Sequence, residues 1–433
     1  MIASQFADLT RRIFPKLQNV VEKERGERNG AKKRTYLHKT MLRKVYSADQ
    51  KWTSASVDTT YVKADMIALN SPVPIKRRDS LAHASGTLPK HGISRVMEES
   101  DINTINIMKA QGTEWAQIAT KLTRDPLFCA VGLDESNEES FLTALCEGVV
   151  AVKDENNTGT ALRVNFGYLP KNGFGVQVAG EITLDDIENV LSAADANGDS
   201  IITICIASST YKKLRQTRGA KELVATYRGQ TFDENTSLPT PTATLFDEAF
   251  ADQYGGVKFL KIDRSVVGEK NGVRKAYKPW NPNRLVYLTT DVVGSLVWGT
   301  LAEKTAPVEG VVYTTVDEMK LISRFRTTNP LTETTAGQML ALTVIENVDQ
   351  IYYQDISEAQ AVDDAAEGTD SADAYITVWG NKYKKPEFIA ELKNLGVSVR
   401  ADASDNTIIN KVNQLSDADE AKLKAAVEPH KAV

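Results

Sequence analysis

Hydrophobic positions along the chain change their period several times, and each change marks an element. Over "TLDDIENVLSAA", residues Leu184, Ile187, Val190, Leu191 and Ala194 recur at helical spacing. Thr183 is suited to an N-cap, and Asp185 and Asp186 favour the positive end of the helix dipole. Asn197-Gly198 then stops the helix, and the unbroken apolar run Ile201 to Ile206 reads as a buried strand. "ASSTYKKLRQTRG" starts another helix at Ser208 or Ser209. Upstream, "NEESFLTALCEGVVAVKDENNTG" predicts a long helix near Glu138 to Glu155. Phe141, Leu145, Val149 and Val152 line one side, Glu138 and Glu139 occupy its first turn, and the cluster Asn156 to Gly159 ends it. Strands are expected at "VKFLKID", "RLVYLTT", "VDEMKLISRFRTT" and "QMLALTVIENVDQIYY".

Elsewhere the periodicity fades. The first fifty or so residues carry basic clusters at Lys32, Lys33 and Arg34 and over "LRKVY", with apolar positions gathered at Phe6, Leu9, Ile13 and Phe14. They read as an extended arm that is a solvated tail, lies on a neighbouring subunit or faces nucleic acid. From Ala64 to Asp101 there are three prolines, two glycines and the triplet Lys76-Arg77-Arg78. Two short strands, around Met66–Leu69 and Ile93–Met97, are expected to flank a long polar excursion. An isolated two-stranded ribbon is marginal in water, so this hairpin should rest on something else. Asp355 to Asp373 holds seven acids and no base, as a linker does. Beyond it, "ITVW" reads as a strand. "KPEFIAELKNLG" reads as a helix with Pro386 in its first turn, Phe388, Ile389 and Leu392 inward and Gly396 as its stop. An extended stretch, "VSVRADASD", separates it from "NTIINKVNQL", and a last helix is capped by Ser416 with Asp419 as its capping-box partner.

Composition narrows the class. A chain of 433 residues that is 42% hydrophobic and 25% charged suits a large globular protein of two or more domains, and a net charge of -5 gives no general signal for polyanions. Cys129, Cys146 and Cys205 are widely spaced, form no metal-ligand pattern and read as reduced, buried thiols in a cytosolic setting. The N-terminal residues lack a signal-peptide core, and no apolar run reaches the length of a membrane span.

The search for chemistry is mostly negative. "AADANGDS" spaces Asp195, Asn197 and Asp199 like a calcium loop, but Ser200 stands where such a loop needs its sixth-position glycine, and Ile206 where it needs its twelfth-position acid. A helix-ending turn explains every residue. No phosphate-binding loop, nucleophile elbow or zinc-protease motif is present, and "GFGVQVAG" lacks the third glycine of a dinucleotide fingerprint. His83 and His91, two of four histidines, share the polar hairpin and read as surface residues. The chain is read as no enzyme, with no cofactor and no metal.

The order of basic arm, hairpin "GTLPKHGISRVMEESDI", long helix ending "NNTG", and then "GEITLDDIENVLSAADANGDSIITICIASSTYKKLRQTRG" resembles major capsid proteins of tailed phages, the HK97 fold. "RLVYLTTDVVGSLVWG" and "SRFRTTNPLTETTAGQMLALTVIENVDQIYY" resemble the later peripheral-domain strands of such proteins from phages of Bacteroides-type hosts. The likeness spans about residues 60 to 355. It implies an α+β fold in which an arm (1–60) and an extended loop and hairpin (61–105) precede a peripheral domain with a long spine helix (106–182). An axial helix–strand–helix unit (183–255) and further axial and peripheral strands (256–354) follow. An acidic linker (355–374) leads to a small, mostly α C-terminal domain (375–433). That last part is similar to helix–extended-loop–helix modules of the LEM and SAP type, some of which bind DNA. Its nine Lys/Arg against eight Asp/Glu between Ile376 and Val433 favour a protein-contacting or surface-decorating role.

The resemblance implies self-assembly into hexamers and pentamers of an icosahedral virion capsid around double-stranded DNA, formed in a bacterial cytoplasm. Portal, scaffold or decoration proteins would be partners, DNA contact would be non-specific, and no membrane is involved. On this reading Lys76, Arg77, Arg78, Lys90 and Arg95 are candidates for contact with a neighbouring subunit, and Lys32, Lys33 and Arg34 for arm contacts. Deleting Ser71 to His91 is expected to leave a folded monomer that does not assemble. Alternatives are a nucleic-acid-binding regulator using the arm and C-terminal module, an encapsulin-type shell and, more distantly, a hydrolase.

Overall fold

A computed structural model describes residues 3–26, 36–57, 81–153, 161–233, 236–270, 272–360, 375–379, 381–395, 397, 408, 411–412, 422–424 and 426–427. The chain divides into two compact units, Met1–Gln360 and Ala361–Val433. Helices and sheets are both present, the α+β class that the sequence suggests.

The first unit begins with helices rather than an extended arm: α1 (Ala7–Ile13) and α2 (Leu17–Gly26), joined by a short 3-10 turn. Phe6, Ile13, Phe14, Leu17 and Val21 are buried, so the sparse apolar positions of this segment form a docking face. Residues 27–35, with Lys32, Lys33 and Arg34, lie outside the described residues. The chain resumes at Tyr36 and passes through α3 (His38–Met41) into β1 (Leu42–Tyr46). Next come β2 (Lys51–Val57), β3 (Leu81–Thr87), β4 (Lys90–Glu98), α4 (Glu99–Ala110) and α5 (Trp115–Glu147).

Helix α5, 33 residues long, starts far upstream of the expected Glu138 and spans about 50 Å at the α-helical rise. Gly148, left-handed at φ 67°, ends it, so Val149 and Val152 stand not on the helix but on β5 (Val149–Lys153), which pairs with β6 (Ala161–Asn165). The expected stop at Asn156–Gly159 lies outside the described residues.

The remaining elements of this unit are β7 (Gly173–Val176), α6 (Leu184–Asn197), β8 (Thr203–Ala207), α7 (Ser208–Gln216), α8 (Arg218–Tyr227), α9 (Ala243–Gln253) and β9 (Lys258–Ile262). After them come β10 (Val266–Lys270), β11 (Val273–Tyr277), β12 (Arg284–Leu288), β13 (Gly294–Gly299), α10 (Ala302–Thr305), β14 (Val312–Val316), β15 (Lys320–Thr328), β16 (Leu331–Ile345) and β17 (Ile351–Ala359).

Two sheets organise them. The first runs β1-β13-β16-β15-β14, and the 15-residue β16 is long enough to take both β13 (at Leu340–Ile345) and β4 (at Thr332–Leu340) on one edge. Helix α5 packs on it through Cys129, Ala130, Leu133, Phe141 and Leu142 in one core with Ile322, Met339 and Leu342. The second runs β7-β17-β12-β8-β9 and shares a core with α6, α7, α8 and α9 through Ile187, Val190, Ile204, Leu214, Val224 and Phe246. Arg284 joins sheet and helix end: its Nε donates to the Cys146 carbonyl at 3.1 Å, and its guanidinium lies 3.3 Å from Asp355 and 4.5 Å from the Tyr353 ring centre. Asp355 therefore belongs to β17, and the structured unit runs past the expected start of the linker.

The turn "AADANGDS" is a helix end. Thr183 and Asp186 form a capping box at the start of α6, and Gly198 caps it left-handed at φ 83°. Asn197 donates to the Tyr352 hydroxyl at 3.0 Å, which in turn donates to Asp199 at 2.7 Å. Of the side chains that suggested calcium, Asn197 and Asp199 are both engaged by Tyr352.

The second unit holds β18 (Tyr375–Val378), β19 (Asn381–Lys384) and α11 (Lys385–Asn394), with helical backbone at 408, 411–412, 422–424 and 426–427. Phe388, Ile389 and Leu392 are buried with Ile408, Val412, Leu423 and Val427, and the Lys424 ammonium sits 4.8 Å from the Trp379 ring centre. Gly396, Ser416 and Asp419 lie outside the described residues.

Candidate assembly joint

The middle of α5 carries the run Asp134, Glu135, Asn137, Glu138, Glu139, and it is not a helix start. It is where distant segments are fastened. Asp134 and Glu138 lie one turn apart on one face, both about 1% exposed, and each faces cations or donors from far along the chain. Lys320 of β15 reaches Asp134 at 2.5 Å and Asp317 at 2.7 Å, while Lys39 lies 3.1 Å from each of the same two carboxylates. Glu138 accepts the backbone N–H groups of Leu37 and His38 at 3.0 Å and pairs with His38 Nδ1 at 2.7 Å. His38 Nε2 stands 3.9 Å from Asp134.

The ladder continues outward. Glu135 accepts from the Tyr36 hydroxyl at 2.9 Å and from Arg264 at 2.6 Å, and Glu139 accepts from the Tyr277 hydroxyl. Gln18 of α2 completes the turn before β15, donating to Asp317 Oδ1 at 3.0 Å and accepting from Asp317 N–H at 2.9 Å. The acidic face thus fixes three things at once: the segment after the basic stretch 27–35, the β14–β15 turn, and the base of the β10–β11 ribbon.

Electrostatics follow from burial. Burial draws the Lys320 ammonium below its ordinary pKa against the pull of Asp134 and Asp317. Burial also raises Asp317, but Lys320, the Gln18 hydrogen bond and Lys39 outweigh it and hold this carboxyl far below the usual range. His38 is pushed below 6.5 by burial, in spite of Glu138, and is neutral at physiological pH. A buried set of paired ions adds little net stability over apolar packing, but it admits few alternative registers.

The depressed values of His38 and Asp317 give acid sensitivity of one sign. As pH falls below about 6.5 the unfolded chain protonates its histidine while folded His38 resists, and stability declines. Below the ordinary Asp value of 3.8 the unfolded carboxyl takes a proton that folded Asp317 refuses, and stability declines further. The melting temperature should fall progressively from pH 7 to about pH 3, and Asp317→Asn should flatten the part of that slope near and below pH 4. A melting temperature independent of pH across this window would contradict the assignment.

The second element is the β2–β3 ribbon, antiparallel from Lys51↔Thr87 to Val57↔Leu81. Its root is held by the body. Trp52 and Leu88 enter the main core, the Leu88 N–H bonds to the Gln50 carbonyl at 2.9 Å, and a Cβ at Gly86 would stand 2.9 Å from Trp52 Nε1. Glycine lets the indole lie flat across the partner strand. From this root the strands run out for about 20 Å at the extended rise.

The structure relocates several expected features. The paired strands of the hairpin are 51–57 and 81–87. The expected strand Met66–Leu69 lies outside the described residues, as do Lys76, Arg77 and Arg78. Ile93–Met97 belongs to β4, whose alternate residues Ile93, Arg95 and Met97 face α5 while the strand pairs with β16. Lys90 is exposed, as a contact residue must be. Arg95 is already engaged within the chain, 3.4 Å from Asp125 and 4.4 Å from the Phe128 ring centre. His91 is no surface residue: Nδ1 lies 2.9 Å from Ser136 Oγ and Nε2 3.1 Å from the Ala341 carbonyl. His83 stands on β3. Sequence reading missed His38, Lys39, Asp134 and Lys320 as a group, although the i, i+4 spacing of Asp134 and Glu138 was visible.

Among the described residues no group of three or more His, Cys, Asp or Glu could hold a metal ion, and no helix is long and apolar enough to cross a membrane. No protein-family model matches the chain, and no curated protein does. Solved structures do. A capsid protein assigned to a prophage of Escherichia coli CFT073 aligns over 81% of this chain and 98% of its own, at 11% identity and a TM-score of 0.48. The capsid of cyanophage A-1(L) aligns over 77% and 96%, at 12% identity and a TM-score of 0.43. A holo-encapsulin complex of Synechococcus elongatus PCC 7942 aligns over 81% and 98%, at 10% identity and a TM-score of 0.35.

Proposed function

We propose that this chain is a major capsid protein of the HK97 fold, a shell-building subunit whose work is geometric. The observation that carries the reading is the β2–β3 ribbon. It is rooted in the core at Trp52 and Leu88, and a two-stranded ribbon of this kind is not stable alone in water. A neighbouring copy supplies the missing surface. The sequence resemblance to tailed-phage capsid proteins supports the same conclusion, as does a spine helix that ties arm exit, sheet turn and second ribbon into one rigid body.

Copies joined through such contacts form hexamers and pentamers, and closed symmetry makes many modest interfaces cooperative. The shell is a virion head assembled in a bacterial cytoplasm around double-stranded DNA. Portal, scaffold or decoration proteins meet it at its specialised positions. The C-terminal unit, with its near-balanced charge, acts as a protein-contacting module rather than a DNA clamp.

The test is excision of the ribbon beyond its root. His91 and Leu88 belong to the body, so the segment to remove is Ser54 to Ala84, with Thr53 and Ser85 joined by a two-residue Asn-Gly turn. The variant should keep the melting temperature of the body and elute as a monomer, while the full chain forms megadalton particles. Particles of normal size from the excised variant would remove the ribbon from the mechanism. A full chain that stays monomeric at all concentrations would end the capsid reading.

A further inference from the structure

Among the described residues, the three most exposed large apolar side chains are Val273 (71%), Val267 (60%) and Val178 (58%). The first two stand on the β10–β11 ribbon. Its register pairs Val266 with Tyr277 and Lys270 with Val273, which puts Val267 on one face and Val273 on the other. All five residues of β11 are exposed, and the ribbon is held at its base by buried Val266 and by Tyr277 on Glu139. A second two-stranded ribbon therefore projects with an apolar side chain on both faces; Lys275 shares the face of Val273, and Arg274 shares the face of Val267, where it pairs with Glu269 at 2.7 Å.

Val178 has the opposite setting. It stands in an exposed turn closed by the Glu181 N–H on the Val178 carbonyl and anchored by the Gly180 N–H on the Ile356 carbonyl. Glu181, Asp185 and Glu188 are exposed around the start of α6.

We propose that the β10–β11 ribbon of one copy docks on the Val178 turn and the acidic start of α6 in the next copy. The contact rests on the capsid reading and names one of its interfaces. An exposed valine beside Lys275 meets an exposed valine beside Glu181 and the acidic start of α6, so the apolar area is covered while the charges fix register. The two surfaces are different patches of the same chain. The contact is heterologous, and repetition about an axis closes it into a ring.

The test uses the full chain with Val273→Cys and Val178→Cys together, oxidised under native conditions. The native cysteines are all buried and do not compete. A ladder of covalent dimers, trimers and higher multimers is expected, because each copy offers a different cysteine on each side. Either substitution alone should give no ladder beyond dimers. Particles that form normally yet yield no ladder would overturn the docking contact and leave the capsid reading standing. A ladder without closed particles would uphold the contact and count against the shell. As an independent arm, Lys275→Glu should lower particle yield at least tenfold, and so should Glu181→Lys. The two changes together should restore the yield, and failure to restore it would refute the pairing.

Discussion

Replacing Asp134 by alanine should destabilise the first unit by about 3–5 kcal/mol, the range for removing one partner from a buried ion pair. Asp134 and Lys320 are both about 1% exposed and lie 2.5 Å apart, and Lys39 shares the same carboxylate at 3.1 Å. Without Asp134 two ammonium groups converge on Asp317 in a setting with little water to screen them. Lys320 answers by losing its proton or by dragging β15 away from α5. Either response weakens the main core, because β15 carries Ile322 into it.

Lys320→Met should produce a similar loss, since it leaves Asp134 facing fewer cations. The double replacement Asp134→Leu, Lys320→Met should recover most of it, because the remaining pair, Lys39 and Asp317, keeps its charge balance. Urea unfolding of the two single variants and the double variant closes the cycle. Equal, additive losses would show that the two side chains do not act as a unit.

The same cluster shows what was legible in the sequence. Helix α6 was plain because its signals are local: Thr183 and Asp186 cap it, Gly198 ends it, and its apolar face repeats within fourteen residues. The helix α11 face of Phe388, Ile389 and Leu392 was legible for the same reason. Helix α5 was not. Pro126 inside it reads as a breaker, and the acids around Glu138 read as a helix start, since both are normally found there. What overrides those signals is tertiary. Pro126 is itself buried, and the donors that satisfy Glu138 and Asp134 arrive from Leu37, His38, Lys39 and Lys320.

The N-terminal segment was misjudged for a related reason. Its few apolar residues look too sparse for a packed element, yet Phe6 and Ile13 complete a small cluster with Met97, Ile102, Ile105, Ile118 and Leu122 that no part of the chain forms alone. The pairing of 51–57 with 81–87 was not read because "KWTSASV" and "LAHASGT" carry no sustained apolar alternation. Of the candidate contact residues, Lys90 stands where an interface residue can. Arg95 is half-buried and engaged with Asp125 and Phe128, and its alternation with Ile93 and Met97 was the available sign that it faces the helix.

Gly337→Leu should cost about 3 kcal/mol, the upper end of the usual range for added volume in a packed core. At this point α5 crosses β16 with no room for a side chain. A Cβ on residue 337 would stand 2.9 Å from Cys129 Cβ and 3.0 Å from Ile322 Cδ1. The helix is notched as well, since a Cβ on Gly132 would meet Ile93 Cδ1 of β4 at 2.7 Å. Two glycines thus allow one helix to lie close over two neighbouring strands. A leucine at 337 lifts α5 and loosens what it holds, including the Ser136–His91 bond that fixes the strand leading out of the β2–β3 ribbon. Assembly should therefore fall further than the loss of stability alone accounts for. Gly92→Ala is the matching control, because the nearest atom to its Cβ is the Gly337 carbonyl oxygen at 4.0 Å. That variant should melt and assemble like the parent. If Gly337→Leu lowers the melting temperature while particle yield stays normal, the close crossing stabilises the subunit without setting the geometry of its ribbon.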